Sequence, residues 1–300
     1  MINIKCCSII LNYNSIKDTK KLALDLQKNN EINKIVIVDN NSTDGSFKNL
    51  KRFFMDHEDI FVIKTNGNFG YSYGNNYGAR FALKNFNPEF ILISNPDVEI
   101  PKSFVRNMIN YLERDYNLAS VSGLMLNYKK ELIFSQIAWK IPKLLGYTIM
   151  NLECLIKIYN PIKYKNLEIN NNNGLAYVEC LPGSCFLIRS EVLRKIEFLD
   201  ENIFLYCEEV ILGKKIKNLG LTSGLSFNDY FIHKHFKKRS LIEEMKNYLI
   251  LYKSRYYYIV HYTKFGKLFS PIFLLTEAIG LIEKLAIQCL KPLIPAFRGN

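Results

Sequence analysis

A regular alternation of short apolar runs with helix-like segments is the feature of this chain that most restricts its fold. Continuous apolar runs of this length are typical of strands that are buried on both faces. Strands interleaved with helices predict an α/β fold with a mainly parallel sheet and right-handed crossovers. The predicted strands are 6–11, 34–38, 60–64, 90–94 and 119–126. One predicted helix is capped by Ser15, and the others cover 46–55, 76–84 and 101–115.

Polar turns follow three of these predicted strands directly. Asn12-Tyr13-Asn14 comes after the first strand, residues 39–45 come after the second, and Asn95-Pro96-Asp97 comes after the fourth. In open α/β sheets, ligands bind beyond the carboxyl ends of the strands. The three turns therefore predict a nucleotide-binding site at that edge of the sheet.

Several other classes of site are excluded by motifs that the sequence lacks. The first strand is not followed by Gly-x-Gly-x-x-Gly, and no Gly-x-x-x-x-Gly-Lys-Ser/Thr loop occurs, which argues against dinucleotide-binding and phosphate-loop proteins. The four histidines form no His-Glu-x-x-His pair, so a tetrahedral zinc site has no obvious ligands.

The seven cysteines form no Cys-x-x-Cys pair and predict reduced thiols in a cytosolic protein.

An acidic pair, Glu208-Glu209, begins a further predicted helix that runs to Asn218 and stops before Gly220. Acidic residues in a first turn are favoured by the helix dipole, so a purely structural role is one interpretation. The other interpretation is that the pair supplies a general base to the polar site.

The order and spacing of eight motifs give a family resemblance over residues 5–260. The chain resembles the inverting family 2 glycosyltransferases of the GT-A fold, in the bacterial rhamnosyltransferase-like branch. The motifs are Ser8 to Asn14, Val38 to Ser46, Asn68 to Gly78, Ser94 to Val98, Gly183 to Arg189, Phe198 to Glu209, His233 to Ser240 and Tyr252 to Arg255.

The resemblance implies a donor site for a UDP- or dTDP-sugar. Asp39 is expected to hydrogen-bond the base with Asn12 near the nucleoside, while Gly70 and Gly74 are expected to let the backbone approach the nucleotide. The alternatives are that Asp39 caps its own turn and that residues 68–74 form a surface turn. The complete set of expected donor contacts is Asn12, Asn14, Asp39, Asn41, Asn68, Gly70, Gly74, Asn75 and Asn95.

The resemblance also implies a divalent metal ion, Mg²⁺ or Mn²⁺. Asn95-Pro96-Asp97 occupies the place of the family's Asp-x-Asp motif, so Asp97 is expected to hold an ion that bridges the donor phosphates. His233 or His235 matches the late metal-associated histidine of the family, and the sequence leaves open which of them it is.

On the acceptor side, the resemblance implies that Glu209 is the general base and that Glu208 orients it or binds acceptor hydroxyls. The family has Asp at the position of Glu209 and a further acid where this chain has Ile211. Trp139, the only tryptophan, is expected either to stack on an acceptor sugar or to pack in the core. The expected acceptor-binding residues are Gly183, Ser184 and Trp139.

The carboxyl-terminal end is basic and rich in apolar residues. From Ile211 onward the chain carries 15 Lys or Arg against five Asp or Glu. A helix is predicted over 241–262, and residues 268–297 are apolar but interrupted by charges and prolines, too short in any uninterrupted run to span a bilayer. Such a segment suits the membrane interface. The alternative is a helical hairpin packed on the catalytic domain.

The expected organisation is a GT-A domain over 1–240, with a donor half (1–126) and an acceptor half (127–240), followed by membrane-associated helices over 241–300. The expected function is transfer of a sugar, with rhamnose favoured, to a lipid-linked or growing polysaccharide at the cytoplasmic face of the membrane. A non-catalytic GT-A-like binding protein is the alternative. Nucleic-acid binding has only the net charge of +12 in its favour and is not expected.

Overall fold

One mixed sheet forms the centre of the protein. The computed structural model describes residues 4–133, 136–164, 166–234 and 240–290, and over these residues ten strands join in a single sheet. The strands are β1 (Cys6–Asn12), β2 (Lys34–Asp39), β3 (Ile60–Lys64), β4 (Phe90–Ser94), β5 (Val98–Glu99), β6 (Leu118–Leu126), β7 (Ile169–Asn170), β8 (Leu175–Val178), β9 (Cys185–Arg189) and β10 (Thr222–His233).

Helices cover both faces of this sheet, as the alternating pattern predicts. The helices of the described residues are α1 (Ile16–Gln27), α2 (Ser46–Phe53), α3 (Tyr71–Asn85), α4 (Phe104–Arg114), α5 (Leu144–Met150), α6 (Glu153–Ile158), α7 (Ser190–Lys195), α8 (Glu208–Asn218), α9 (Leu241–Tyr262) and α10 (Gly266–Leu290).

The strand order is β3-β2-β1-β4-β9-β6-β10-β8-β7, with β5 paired to the end of β10. The first four strands in this order are parallel, as predicted. The second half is mixed, because β9 runs antiparallel to both β4 and β6. This insertion places Cys185, at the start of β9, opposite Ser94, at the end of β4. The turn before β9 therefore lies beside the polar turn that follows β4.

The observed elements agree with the predicted α/β order, and two helices begin at other residues than expected. Helix α3 begins at Tyr71 rather than near Asn76, because the glycine-rich segment joins the helix instead of forming a loop. Helix α4 begins at Phe104 rather than at Pro101. The segment 127–177, which matches no motif, contains α5, α6 and the β7–β8 pair.

Three apolar clusters hold these layers together, since burial of apolar side chains is the main stabilising contribution. On one face of the sheet, Leu22 of α1, Leu50 of α2 and Met108 of α4 are buried against the strands. On the other face, residues of α3, α7 and α8 do the same. A third cluster joins Ile211 of α8 to Ile259 of α9 and to residues of α5 and α10.

The carboxyl-terminal helices pack on α5 and α8 through this third cluster. Helix α9 has the predicted bounds and begins with a capping box, in which Ser240 and Glu243 exchange hydrogen bonds. Tyr258 and Ile259 are almost fully buried. Among the helices that the structure describes, none combines the length and the apolar character needed to cross a bilayer.

Candidate active site

The turns after β1 and β2 form one hydrogen-bonded unit. The parallel register pairs Asn12 with Asp39 at the ends of their strands. The Asn12 Nδ2 donates to Asp39 Oδ2 at 2.8 Å, and the Ser42 amide donates to Asp39 Oδ1 at 3.0 Å. Asn12 and Asp39 are both fully buried. Asp39 thus stabilises its own turn, and its predicted contact with a base stays a prediction.

Asn14 and Asn41 lie on the exposed side of the same unit. Both have left-handed backbones, with φ of 51° and 59°, a conformation that asparagine tolerates better than most residues. The Thr43 amide donates to Asn14 Oδ1 at 2.9 Å, which ties the two turns together. The side chain of Asn14 is exposed, and its predicted contact with the donor stays a prediction.

Asn40, which the sequence-based set omits, organises the next part of the site. Its Nδ2 donates to Asn68 Oδ1 at 3.0 Å and to the Gly70 carbonyl at 3.2 Å, and its Oδ1 accepts from Thr65 Oγ1. Asn40 therefore joins the turn after β2 to the segment before α3. Its place beside Asp39 in the motif was a usable signal for this role.

The two glycines of the predicted donor loop are required by contacts within the protein. A Cβ on Gly70, which has φ of +104°, would lie 2.1 Å from the Phe204 carbonyl oxygen. A Cβ on Gly74 would lie 2.3 Å from Leu11 Cδ1. Contacts within the protein therefore require both glycines, and their predicted approach to the nucleotide stays a prediction. The Tyr71 amide also donates to the Phe204 carbonyl at 2.9 Å, so the start of α3 touches the segment that leads to Glu208.

Asn75 lies on α3 and is fully buried. Its Nδ2 donates to the Tyr71 carbonyl at 3.0 Å, and among the described residues its Oδ1 has no hydrogen-bond partner. Its predicted contact with the donor stays a prediction.

The predicted metal residues Asp97 and His233 are adjacent. Val98 pairs with His233 across β5 and β10, and this pairing brings His233 Nε2 to 3.2 Å from Asp97 Oδ2. Asp97 is nearly buried. Over residues 4–133, 136–164, 166–234 and 240–290, no cluster of three or more His, Cys, Asp and Glu side chains forms a complete metal site. His235 lies outside the described residues.

This donor set fits a divalent ion that is shared with a substrate. One carboxylate and one imidazole leave most coordination positions to phosphate oxygens and water. Mg²⁺ commonly keeps such positions for phosphate and water, and the imidazole suits Mn²⁺ as well. Asn95 lies two residues before Asp97, and its backbone N–H donates to the Ser184 carbonyl at 2.8 Å. The turn that carries Asp97 is thereby linked to the turn before β9.

The carboxylate of Glu209 faces that same turn. The Gly183 amide donates to Glu209 Oε1 at 3.3 Å, and a Cβ on Gly183 would lie 2.8 Å from the same oxygen. Burial raises the pKa of Glu209, while hydrogen bonds from its own amide and from Gly183 oppose this rise. Because Gly183 and Ser184 precede β9, the carboxylate and the Asp97 turn lie at neighbouring strand ends.

Glu208 is the more desolvated member of the pair. Within the part of the chain that the structure describes, its Oε2 has no hydrogen-bond partner. Burial, and then the charge of Glu209, raise the pKa of Glu208 to about 8. The two residues before it, Tyr206 and Cys207, both have left-handed backbones, with φ of 70° and 67°. Strained backbone of this kind is concentrated at functional sites.

Tyr71 is a site residue that the sequence-based set omits. Its hydroxyl donates to the Gly183 carbonyl, so it bridges the start of α3 and the turn that holds Glu209. Burial and the charges of Glu209 and Glu208 raise the pKa of Tyr71 well above its usual value, which keeps the hydroxyl protonated as a donor. No local pattern marks this role, because it depends on contacts 112 residues apart along the chain.

The remaining predicted acceptor residues lie in different surroundings. Ser184 is nearly buried, and its Oγ contacts Met125 Sδ at 3.4 Å. Trp139 exchanges backbone hydrogen bonds with Cys180, and its half-buried ring packs against the third apolar cluster. The structure thus places Trp139 at the edge of the core, and its stacking on a sugar stays a prediction.

Comparison with known proteins decides the family. The sequence profile of Glycosyl transferase family 2 matches residues 7–197, which is more than half of the chain. The chain belongs to this family. The predicted glycosyltransferase family and GT-A-like α/β fold are thus confirmed.

Two curated relatives are similar to this chain. The low-salt glycan biosynthesis hexosyltransferase Agl10 of Haloferax volcanii is 31% identical over 202 residues, which are 67% of this chain and 58% of Agl10. The rhamnosyltransferase WbbL of Escherichia coli is 23% identical over 216 residues, 71% of this chain and 77% of WbbL. The match to Agl10 thus spans little more than half of that relative.

Solved structures share the fold of this family 2 member. The mannosyltransferase PcManGT from Pyrobaculum calidifontis, in complex with GDP-Man and Mn²⁺, has a TM-score of 0.58 at 14% identity and covers 99% of this chain and 83% of its own. GalNAc-T7 with UDP, GalNAc and Mn²⁺ has a TM-score of 0.62 at 12% identity, covering 96% of this chain and 58% of its own. At these identities the likeness supports the fold alone.

Proposed function

We propose that this protein is an inverting glycosyltransferase that moves a sugar from a nucleoside diphosphate donor to a hydroxyl group of a glycan. One observation carries the proposal: Gly183 holds the Glu209 carboxylate at the start of β9, and the neighbouring Ser184 carbonyl accepts a hydrogen bond from Asn95, two residues before Asp97. A carboxylate therefore lies next to the turn expected to hold the donor diphosphate.

In this reaction Glu209 removes the proton from the acceptor hydroxyl. The acceptor oxygen attacks the anomeric carbon as the bond from that carbon to the diphosphate oxygen breaks, and the electron pair leaves with the nucleoside diphosphate. Attack from the face opposite the leaving group inverts the configuration. The raised pKa of Glu209 makes its carboxylate a stronger base than an exposed one.

Asp97 and His233 would hold the divalent ion. Such an ion supplies positive charge that stabilises the negative charge of the leaving diphosphate. The turns that carry Asn14, Asn41 and Asn68 would surround the nucleoside and its ribose.

The proposed donor is a UDP- or dTDP-sugar, and the proposed sugar is a deoxyhexose such as rhamnose. The likeness to WbbL supports the sugar. A thermal-shift panel of UDP-, dTDP- and GDP-sugars with Mn²⁺ tests the choice, because the true donor raises the melting temperature by mass action. A larger shift with a GDP-sugar would contradict it.

The proposed acceptor is a lipid-linked or growing polysaccharide at the inner face of the cytoplasmic membrane. The basic carboxyl-terminal end and the name of Agl10, a glycan biosynthesis enzyme, support this proposal. The division into a donor half and an acceptor half at residue 126 is part of the same proposal.

The Glu209→Gln variant tests the catalytic assignment. We expect sugar transfer to fall by about 10²–10⁴-fold while binding of the nucleotide donor is unchanged, since an amide cannot accept the proton. Glu191→Gln, at an exposed position on α7, is the matched control and should leave transfer unchanged. Normal turnover of Glu209→Gln would exclude this base.

A non-catalytic binding protein of the same fold is the alternative function. The departures from the family pattern at Asn95, Glu209 and Ile211 favour it. Hydrolysis of the donor in the presence of Mn²⁺, with no acceptor added, separates the two, because a binding protein would leave the donor intact.

A further inference from the structure

The outer face of α10 is apolar and exposed to solvent. The side chains of Leu268, Ile272, Leu275, Ile279 and Ile282 are between 41% and 72% exposed. Their spacing of three or four residues places them along one face of the helix. Soluble monomers rarely expose a contiguous apolar patch of more than a few hundred square ångströms, so a stripe of this length marks an interaction surface.

Two short helices that pack against α10 carry further exposed apolar side chains. Helix α10 contacts both α5 and α6. Leu145 of α5 is 70% exposed, and Leu155 and Ile158 of α6 are also exposed. We call these three residues, together with the five residues of the stripe, the α10 surface.

The charges on α10 are arranged so that its acids are withdrawn from this surface. Glu277 is almost fully buried, where it faces Arg255 and accepts from the Tyr248 hydroxyl at 3.2 Å. Glu283 is half-buried and accepts from Cys154. Lys264, two residues before α10, and Lys267, in its first turn, are by contrast exposed. The exposed part of α10 is thus apolar with a basic end.

We propose that the α10 surface binds the interface of an anionic lipid bilayer, with α10 lying parallel to the membrane plane. Its 25 residues give a helix about 37 Å long. The apolar stripe would enter the boundary between headgroups and acyl chains, while Lys264 and Lys267 would reach lipid phosphates. This inference rests on the proposed function: the lipid anchor of the proposed acceptor would lie in the same bilayer that binds the α10 surface.

Charge favours lipid over a second copy of this chain as the occupant. The last 90 residues carry 15 basic residues against five acidic ones. Two copies joined through the α10 surface would place the exposed Lys264 and Lys267 of each copy against acids, Glu277 and Glu283, that already have partners, whereas the phosphates of an anionic bilayer complement these lysines.

Vesicle flotation of the full-length protein tests the proposal. We expect it to float with phosphatidylcholine vesicles that contain phosphatidylglycerol and to float less with phosphatidylcholine alone. The double variant Ile272→Asp/Leu275→Asp should lower the partition coefficient by about tenfold or more, since two aliphatic side chains are lost from the interface. The matched control is Met55→Asp, an exposed apolar residue outside the α10 surface, which should float like the wild type.

A second pair of variants isolates the charge. Lys264→Glu/Lys267→Glu should lower binding to the anionic vesicles by about tenfold or more and leave binding to phosphatidylcholine nearly unchanged. Lys102→Glu, at an exposed position before α4, is the control for a lost positive charge. Melting curves followed by circular dichroism confirm that each variant is folded.

Three outcomes would overturn the inference. They are a wild-type protein that stays with the soluble fraction, an Ile272→Asp/Leu275→Asp protein that floats normally, and a concentration-dependent dimer that this variant abolishes without any lipid binding. Donor hydrolysis is measured on the same samples. Hydrolysis without flotation overturns the membrane surface alone, and flotation without hydrolysis overturns the proposed enzyme alone.

Discussion

The proposed donor side and the proposed acceptor side of the site are built in opposite ways. On the donor side, the turns after β1 and β2 satisfy one another: Asn12, Asp39 and Asn40 are buried and hydrogen-bonded to their neighbours. On the acceptor side, Glu208 has a buried oxygen without a partner among the described residues and follows two left-handed residues.

This contrast separates two tasks. A network whose polar groups are already paired is rigid, so it can bind a nucleotide with little loss of conformational entropy. A desolvated pair of carboxylates has raised pKa values and is suited to proton transfer. The two sides meet where Gly70 and Tyr71 touch the Phe204 carbonyl, so their relative position depends on that contact.

The largest effect is expected from Gly70→Ala, which breaks the contact between the two sides. The added Cβ would lie 2.1 Å from the Phe204 carbonyl oxygen and would also strain a backbone at φ of +104°. We expect a loss of about 4 kcal/mol or more in the free energy of unfolding, together with loss of transfer, measured by urea denaturation and sugar-transfer assays.

Gly220→Ala is the matched control for this change. Gly220 has φ of +75° with no atom within 4 Å of its Cβ position, so the variant carries the backbone strain without the clash. We expect a loss of only about 1 kcal/mol. Equal effects of the two variants would show that the Gly70–Phe204 contact does not connect the two sides.

A smaller effect is expected from Glu208→Gln, and it depends on pH. The pKa of Glu208 is raised from 4.5 to about 8 in the folded protein, so its protonated form is favoured by folding. Its contribution to stability is therefore present below pH 4.5 and is lost as the pH rises towards 8. The variant cannot ionise, and at pH 9 it should be more stable than the wild type by on the order of 3 kcal/mol.

Urea denaturation at a series of pH values measures this difference. The exposed Glu191→Gln is the control and should follow the wild type at every pH. A Glu208→Gln protein with the pH dependence of the wild type would mean that the acceptor side is not desolvated as described.

On the proposed donor side, Asp39→Asn should destabilise the protein. The amide nitrogen of the new side chain would face either Asn12 Nδ2 or the Ser42 amide, both of which are donors. We expect a loss of about 2 kcal/mol in the free energy of unfolding and weaker binding of the nucleotide donor. Asp25→Asn, which removes an exposed ion pair, is the control. An equal loss of stability in this control would show that the hydrogen bonds of Asp39 contribute no more than an exposed ion pair.

The smallest effect is expected from His233→Ala. The His233 imidazole lies 3.2 Å from Asp97, so its removal should raise the Mn²⁺ concentration needed for half-maximal donor hydrolysis by about tenfold. Chelation with EDTA should abolish hydrolysis by the wild type. His57→Ala, whose ring contacts Gln27 away from the site, is the control. An unchanged Mn²⁺ requirement in His233→Ala would remove this histidine from the metal site.

The parallel half of the sheet and its polar edge could be predicted from the sequence because the signals are local. The apolar runs that form β1 to β4 are continuous, and each polar turn directly follows the strand that positions it. Helix α9 was predictable for the same reason, since the residues that form it and its Ser240 cap lie within one segment.

The mixed half of the sheet was not predictable in this way. The place of β9 between β4 and β6 depends on pairing between residues that are 91 to 99 positions apart for β4 and 66 to 68 for β6. The same is true of Tyr71, whose partner Gly183 is remote in sequence. No local propensity encodes such contacts.

By itself, the sequence determined the α/β class, the polar strand ends and the residue types available for acid–base and metal chemistry, because periodicity and motif spacing act along the chain. Only the tertiary structure decided that Asp97 meets His233, that Gly183 holds Glu209, and that Gly70 makes room for the Phe204 carbonyl rather than for a ligand alone. Each of these contacts joins separate elements, and only the packed sheet brings them within a few ångströms.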